Sequence, residues 1–339
     1  MTEFRRDPIT GRCVIVVPGR SARPNEHAVD APSTSADPNC PFCEGNEART
    51  PPEVAVVAPP GRQPNERGWY VRTIPNRFPT VAAELPETEP RRAATGFESR
   101  PAFGYHEVVI ESPTHAPLLP FLPGEQVARV IRACRARVRA LSERSHVGSV
   151  TLFENAGPES GGSLWHPHAQ LVTVPGLTPS LQEEVEGAER YRLRSGGDCA
   201  FDEVRHAEVR DGSRLLFDSG GFVAFAPFAS AYPFEVRVLP SRHSPSFGDA
   251  TDDEVDALAD RLPALLRALL ALVPGASYNL VVRTPVGPSP TYARYHWHLD
   301  LYPRLVRPDG FDIGSGLPVN TVTPEDAAVA LRTELGAKR

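Results

Sequence analysis

No apolar run in the sequence is long enough to cross a bilayer as a helix. The amino terminus, Met1-Thr2-Glu3-Phe4-Arg5-Arg6-Asp7-Pro8, is polar and has no hydrophobic stretch behind it. These absences predict a cytoplasmic protein with neither a membrane partner nor a secretory leader. An excess of positive charge is also missing: 36 basic against 42 acidic side chains give a net charge of −6. That balance argues against nucleic acid or anionic lipid as the main partner. Cysteine is too sparse for a disulfide framework. Of the five, only Cys40 and Cys43 are neighbours, while Cys13, Cys134 and Cys199 are scattered. Reduced thiols, some of them holding metal, fit this usage.

Proline is plentiful: its 37 residues are about twice the usual share of roughly 5%. Extended segments and turns are therefore favoured over long helices. At 339 residues with 40% hydrophobic side chains, the chain suits one large or two fused domains. Apolar β-prone runs lie at Cys13–Val17, Glu107–Glu111, Ser149–Phe153, Gln170–Val174, Phe222–Phe225, Phe234–Leu239 and Asn279–Arg283. Helical periodicity appears at Gly124–Ser145, Thr178–Leu193, Thr251–Leu272 and Thr323–Leu335. The last two open with acidic first turns, Thr251-Asp252-Asp253-Glu254 and Thr323-Pro324-Glu325-Asp326, which suit the helix dipole. Strands outnumber helices, and the fold class is α+β.

The chain also repeats itself. Gly104-Tyr105-His106-Glu107-Val108-Val109-Ile110 leads to His115, and Tyr232-Pro233-Phe234-Glu235-Val236-Arg237-Val238 leads to His243. Glu107 and Glu235 each precede their histidine by 8 residues. His115 lies 51 residues before His166, and His243 lies 53 before His296. His166 opens His-Pro-His, and His296 opens His296-Trp297-His298. A helix sits between the paired histidines in both halves, so the pattern reads as a duplicated strand, strand, helix, strand, strand unit.

Cys40-Pro41-Phe42-Cys43 is half of a zinc site, a tight turn that brings two thiolates to one tetrahedral ion. No second C-x-x-C completes it, so the repeat nominates His115 and His166. The other readings are a redox pair and two buried free thiols; a redox pair would open a helix after a strand, whereas this one follows the Pro/Ser-rich stretch 25–39. The second half offers Cys199-Ala200-Phe201-Asp202 with His243 and His296, a carboxylate replacing one thiolate. Its two readings are a second ion or core histidines bonded to carbonyls.

His166-Pro167-His168 is preceded by Phe153-Glu154-Asn155-Ala156-Gly157 and Gly161-Gly162-Ser163 and followed by Gln170. On an extended segment the two imidazoles are expected to point apart, one inward to a metal and one to a cleft. The glycines leave room for a ligand, and their N–H groups suit phosphate oxygens. A neutral imidazole is a nucleophile able to carry a phosphoryl or nucleotidyl group.

These residues closely resemble the active-site signature of galactose-1-phosphate uridylyltransferases, duplicated members of the histidine-triad superfamily. The resemblance extends to Asn76-Arg77-Phe78-Pro79, the Gly104–His115 and Phe222–His243 segments, Tyr295–Pro303, Gly310–Gly316, Asn320 and Thr323-Pro324-Glu325. It implies two fused histidine-triad-like repeats, each a mainly antiparallel sheet with packed helices, over residues 1–195 and 196–339. By the resemblance, His168 would attack UDP-glucose, and the uridylyl-histidine would pass UMP to galactose 1-phosphate in a ping-pong reaction. Gln170 would donate to a phosphoryl oxygen, and Gly161, Gly162 and Ser163 would hold the phosphates. Asn76, Phe78 and Asn155 would contact the nucleoside, with Arg77 among the substrate-binding residues. Arg20 and Arg23 match an arginine pair that approaches the phosphates. A homodimer is implied in the same way.

The sequence departs from that pattern in several places. Ala156 stands where Lys or Arg is usual, which would remove a positive charge near the leaving phosphate. Some relatives bind iron through an additional histidine, and Val281-Val282-Arg283-Thr284 offers none. Asp300 stands where relatives carry histidine or glutamine, and Leu317-Pro318 where bulkier polar groups often touch the hexose. An ADP-sugar or dinucleotide phosphorylase on the same scaffold is therefore the alternative enzyme. A nucleotide hydrolase is disfavoured because Gln170 occupies the place of a third histidine. A zinc-stabilised nucleotide-binding module is the non-enzyme alternative, disfavoured by the intact His168.

Overall fold

A computed structural model describes residues 1–18, 39–86, 91–92, 96–115, 118–196 and 199–336. Arg20 and Arg23 lie outside the described residues. Ten strands form one antiparallel sheet. Its first half contains β3 (Ala55–Val57), β4 (Val71–Pro75), β7 (His106–Ile110), β8 (Ser149–Ala156) and β9 (His168–Val174). The second contains β10 (Leu215–Ser219), β11 (Phe222–Phe225), β12 (Val236–Pro240), β13 (Tyr278–Pro285) and β14 (Leu299–Pro303). A hairpin of β1 (Glu3–Arg6) and β2 (Cys13–Val16) pairs with β15 (Val319–Asn320), and β5 (Arg91–Arg92) pairs with β6 (Glu98–Ser99).

The duplication is visible in the strand order, β10-β11-β12-β14-β13-β8-β9-β7-β4-β3. Read outward from the centre, β8-β9-β7-β4-β3 answers β13-β14-β12-β11-β10. Phe153 faces Gln170 across β8 and β9, Val281 faces Asp300 across β13 and β14, and Phe153 faces Val281. The pseudo-twofold therefore runs through Phe153 and Val281 and equates Gln170 with Asp300. One detail of the sequence repeat shifts. Val108 lies opposite Gln170 and Arg237 opposite Asp300, so the position equivalent to Glu107 is Val236, one residue past Glu235. Phe234 adopts φ 59, and this left-handed residue delays β12 to Val236 rather than the expected Phe234.

Helices α1 (Gly124–Ser142) and α4 (Asp252–Leu272) occupy equivalent places and pack together on one face of the sheet. Their apolar residues recur every three or four positions: Val127, Val130, Ile131, Cys134, Val138 and Leu141 in α1, and Val255, Leu258, Leu262, Leu265 and Leu269 in α4. Each fully buried aliphatic side chain contributes roughly 1.5–3 kcal/mol, so this layer dominates the cohesion of the fold. Thr251 and Glu254 close a capping box at the start of α4. Strand alternation sends Val150, Leu152, Glu154 and Ala156 toward this layer, and leaves Thr151, Phe153 and Asn155 half-buried on the other face.

The second face of the sheet is where the halves diverge. Over β13 and β11 it is covered by α2 (Pro179–Ser195) and α3 (Ala200–Asp211). The α3 helix was not apparent from sequence, because its twelve residues carry only Ala200 and Phe201 as buried apolar groups. The chain closes with α5 (Gly310–Ser315) and α6 (Pro324–Gly336). Among the described residues no helix is long and apolar enough to cross a membrane.

Candidate active site and metal centres

Strand β9 begins at His168, so His166 lies just before it. In a regular strand, residues i and i+2 share a face, and the expectation that these imidazoles point apart fails on that ground. Both rings flank Phe42, with centroids 5.9 Å (His166) and 5.2 Å (His168) from it. What divides them is hydrogen bonding. His166 donates from Nε2 to the Ser112 carbonyl at 2.7 Å, which turns Nδ1 toward Cys40 Sγ and Cys43 Sγ, both at 3.6 Å. His115 Nδ1 lies 3.7 Å from Cys43 Sγ.

The ligand atoms of Cys40, Cys43, His115 and His166 lie within 4.8 Å of one another. A tetrahedral ion with bonds of about 2.3 Å to sulfur and about 2.0–2.1 Å to nitrogen has sulfur–nitrogen edges of about 3.6 Å. The observed edges match, so this cluster fits a metal. Burial pushes His166 down to about 4 against the opposing Ser112 carbonyl, and so keeps the ring neutral.

The second half repeats the arrangement. Cys199, Asp202, His243 and His296 bring their ligand atoms equally close. His243 donates from Nε2 to the Ala293 carbonyl at 2.9 Å, and its Nδ1 lies 3.3 Å from Asp202 Oδ2. His296 is fully buried, its Nδ1 is 3.5 Å from Asp202 Oδ1, and neither ring nitrogen has a hydrogen-bond partner. Nitrogen–oxygen edges around a tetrahedral ion are about 3.4 Å. Orphaned nitrogens inside a protein are costly, so this cluster too fits a metal, and the reading of core histidines bonded to carbonyls does not hold for His296.

His168 is 6% exposed and donates from Nδ1 to the His166 carbonyl at 2.7 Å. The proton therefore sits on Nδ1, and Nε2 carries a lone pair. Burial lowers the pKa of the ring, against the opposing carbonyl bond. Two residues on, Gln170 is half-buried on the same face. Its Oε1 is 2.9 Å from His106 Nε2 and 3.4 Å from Asn76 Nδ2. Asn76 accepts from the Phe78 amide at 2.8 Å. Phe78 is 83% exposed, and Arg77 stands over its ring at 5.8 Å.

The glycine loop follows β8. Gly157 and Gly161 both adopt φ 86, a region that a Cβ penalises. Asn279 ties the loop from the other repeat, donating to Asn155 Oδ1 at 2.7 Å and to the Ser160 carbonyl at 2.9 Å. Gly162 and Ser163 come next, half-buried and exposed, on the way to His166. Ala156 is 4% exposed and belongs to the helix-facing side of β8. Its small side chain thus contributes to the core, and the expected loss of charge beside a leaving phosphate does not apply to this face.

The place equivalent to His168 and Gln170 is sealed. His298 copies the His168 bond, donating from Nδ1 to the His296 carbonyl at 3.0 Å, but is 1% exposed. Asp300 is fully buried and paired with Arg237 at 2.8 Å and Arg283 at 3.1 Å. Arg283 also meets Glu184 of α2 at 3.1 Å. Glu184, His298 and Asp300 are close enough to share a cation, yet two guanidiniums already balance the two carboxylates, so the donor set does not fit an added divalent ion.

A model of the N-terminal domain of galactose-1-phosphate uridyl transferase matches residues 1–177. The chain belongs to the galactose-1-phosphate uridyl transferase family. It is thus an enzyme of a nucleotidyltransferase family. It is 32% identical to the ADP-glucose phosphorylase of Arabidopsis thaliana over 97% of this chain and 92% of that protein. It is 26% identical to the galactose-1-phosphate uridylyltransferase of Thermotoga maritima over 98% of each. The crystal structure of an Arabidopsis thaliana ADP-glucose phosphorylase with bound ADP-glucose superposes with a TM-score of 0.83, at 30% identity over 98% of both chains.

Sequence reasoning left several residues of this family member's site without a role. His106 and Arg237 lie in the two repeated segments, but nothing near them in sequence reveals their partners Gln170 and Asp300. Glu184 and Asn279 give no local signal, because each acts across a long sequence separation.

Proposed function

We propose that the chain transfers a nucleotidyl group from a nucleoside diphosphate sugar through a covalent intermediate on His168. The observation that carries this reading is the His168 tautomer, with Nδ1–H held by the His166 carbonyl at 2.7 Å. Nε2 attacks the α-phosphorus, a P–N bond forms, and the bond from that phosphorus to the bridging oxygen breaks. The sugar phosphate leaves with that oxygen. An oxygen of the acceptor phosphate then attacks the same phosphorus, and the P–N electron pair returns to Nε2. The attacking nitrogen bears no proton, so the first step needs no separate base. The Gln170 amide, Ser163 and the N–H groups of Gly161 and Gly162 stabilise the charge on the phosphoryl oxygens. Asn76, Arg77, Phe78 and Asn155 form the nucleoside side, and Arg20 and Arg23, outside the described residues, are assigned to the phosphates on the family resemblance alone. Each substrate is used in turn, a ping-pong order.

Two donor–acceptor pairs fit this chemistry. One is UDP-glucose with galactose 1-phosphate; the other is an ADP-sugar with inorganic phosphate. We favour the second on one observation, the 32% identity to the Arabidopsis phosphorylase against 26% to the Thermotoga uridylyltransferase. Both metal clusters are assigned to zinc as structural sites, since four protein ligands leave no open position. The first holds the Phe42 turn against His168. We also divide the chain into repeats at 195/196 and infer a homodimer. A reducing cytoplasm is inferred from the sparse, scattered cysteines of the sequence.

The test is incubation with ADP-glucose and UDP-glucose carrying a labelled α-phosphate. Wild type is expected to retain acid-labile label and His168→Ala none. Label persisting on the variant overturns the assignment. The nucleotide that labels wild type, and the acceptor that discharges it, decide the donor pair.

A further inference from the structure

His106 has no part in the chemistry above, yet the bonds around it fix one orientation of Gln170. It stands in β7, where it is paired with Val172, while Gln170 faces Val108. His106 and Gln170 are thus diagonal neighbours on one face, within reach of long side chains. The Thr80 amide donates to His106 Nδ1 at 3.0 Å. That bond makes Nδ1 the acceptor and places the ring proton on Nε2. Nε2–H therefore donates to Gln170 Oε1 at 2.9 Å.

Asn76 is oriented in the same way. Its Oδ1 accepts from the Phe78 amide at 2.8 Å, so its Nδ2 group faces Gln170 Oε1 at 3.4 Å. Nδ2 also lies 3.1 Å from His106 Nε2, as two donors converging on one acceptor do. A flipped Gln170 would set its own NH2 against both. Among the described residues the Nε2 amide of Gln170 makes no hydrogen bond in the orientation present.

We propose that His106 is a positioning residue that, through its Nε2–H and with Asn76 beside it, locks the Gln170 amide so that its N–H groups face the phosphoryl group carried by His168. The Thr80 amide is the first link of the chain, because it decides the tautomer on which the rest depends. This role rests on the reading that Gln170 donates to the phosphoryl oxygens. Its consequence is kinetic: without the lock the amide samples both orientations, and a donor aimed at developing charge is lost for part of the time. Loss of one such donor costs about 10²–10³-fold, so loss of its orientation should cost less.

The experiment measures the rate of covalent labelling by ADP-glucose and UDP-glucose bearing a labelled α-phosphate, in single turnover. If wild type takes label from neither, the functional reading itself fails, and this inference with it. With wild type labelled, His106→Ala is expected to slow the maximal rate about 10- to 100-fold and to leave the half-saturating donor concentration nearly unchanged. H106N keeps an acceptor for the Thr80 amide but offers nothing to Gln170, and should be as slow as H106A. H106Q places an amide N–H near the Nε2 position and should recover most of the rate. If H106A fails to fold, the H106N and H106Q pair carries the comparison, since both fill the site. In the double variant, H106A should add nothing to the loss already caused by Gln170→Ala. Wild-type rates in H106N, or full additivity in the double variant, would overturn the proposal.

Discussion

Replacing Cys40 by serine tests the metal assignment and its mechanical consequence together. Each cluster supplies two anionic and two neutral ligands: two thiolates in the first, a thiolate and the Asp202 carboxylate in the second. Each would therefore neutralise one divalent ion, and the clusters share no residue. Wild type is expected to hold about two equivalents, Cys40→Ser one, His243→Ala one, and the double variant none. The thermal effect follows from linkage. An ion at a hundred to a thousand times its dissociation constant stabilises the folded state by about 2.7–4.1 kcal/mol. At about 2.1 cal/mol/K per residue, the 339-residue chain has an unfolding entropy of about 0.7 kcal/mol/K. The expected fall in Tm on losing one ion is then about 4–6 °C. Nucleotidyl transfer should fall as well, because Phe42 lies between the two thiolates and its ring packs 5.2 Å from His168. Elemental analysis after gel filtration and a thermal scan make the two measurements. A Cys40→Ser protein with unchanged metal content and Tm would refute the site.

Three more outcomes follow from the same geometry. Asp300→Ala leaves Arg237 buried without its carboxylate and Arg283 with Glu184 alone, so denaturant titration should show a loss of about 3–5 kcal/mol; an unchanged midpoint would mean the pair is not paired in solution. At Gly157 an added Cβ would lie 2.3 Å from Ser277 Oγ, on a backbone at φ 86. Gly157→Ala should therefore cost about 2–4 kcal/mol in strain and overpacking and displace the loop that leads to Gly161, and wild-type labelling kinetics would contradict that. Glu53 is one acid-labile group: burial alone would raise its pKa, but hydrogen bonds from Arg62, the Asn65 amide and Arg72 hold it at about 2, below its usual 4.5. Its folded pKa is depressed, so its contribution, up to about 3 kcal/mol, is present above pH 4.5 and is lost as pH falls toward 2. Glu53→Gln should flatten the stability profile across that window, and an unaltered slope would remove the assignment.

Much of this was legible along the chain because the signals are local. Cys40-x-x-Cys43, the glycines at 157, 161 and 162, and the acidic first turn of α4 are each confined to a few residues. The duplication was legible for a different reason: histidines recur at nearly equal intervals, and equal intervals survive even where the intervening residues change. The one-residue slip at Glu235 shows the limit of that argument, since spacing counts residues while strand register depends on where a turn such as Phe234 ends.

An α+β duplication, two sets of candidate ligands, and a histidine motif beside a glycine loop can all be read along the chain. What each of them can do depends on how the chain folds around it. His166 and His168 have the same side chain two residues apart, and only the carbonyls they meet decide which ring nitrogen each leaves free, Nδ1 of His166 beside the two cysteines and Nε2 of His168. Gln170 and Asp300 occupy equivalent positions, yet α2 closes over one with Glu184 and leaves the other half-buried beside His106 and Asn76. The physical reason is the same in both cases. A side chain's chemistry depends on its proton, its solvent and its partners, and those are supplied by strands and helices distant in sequence.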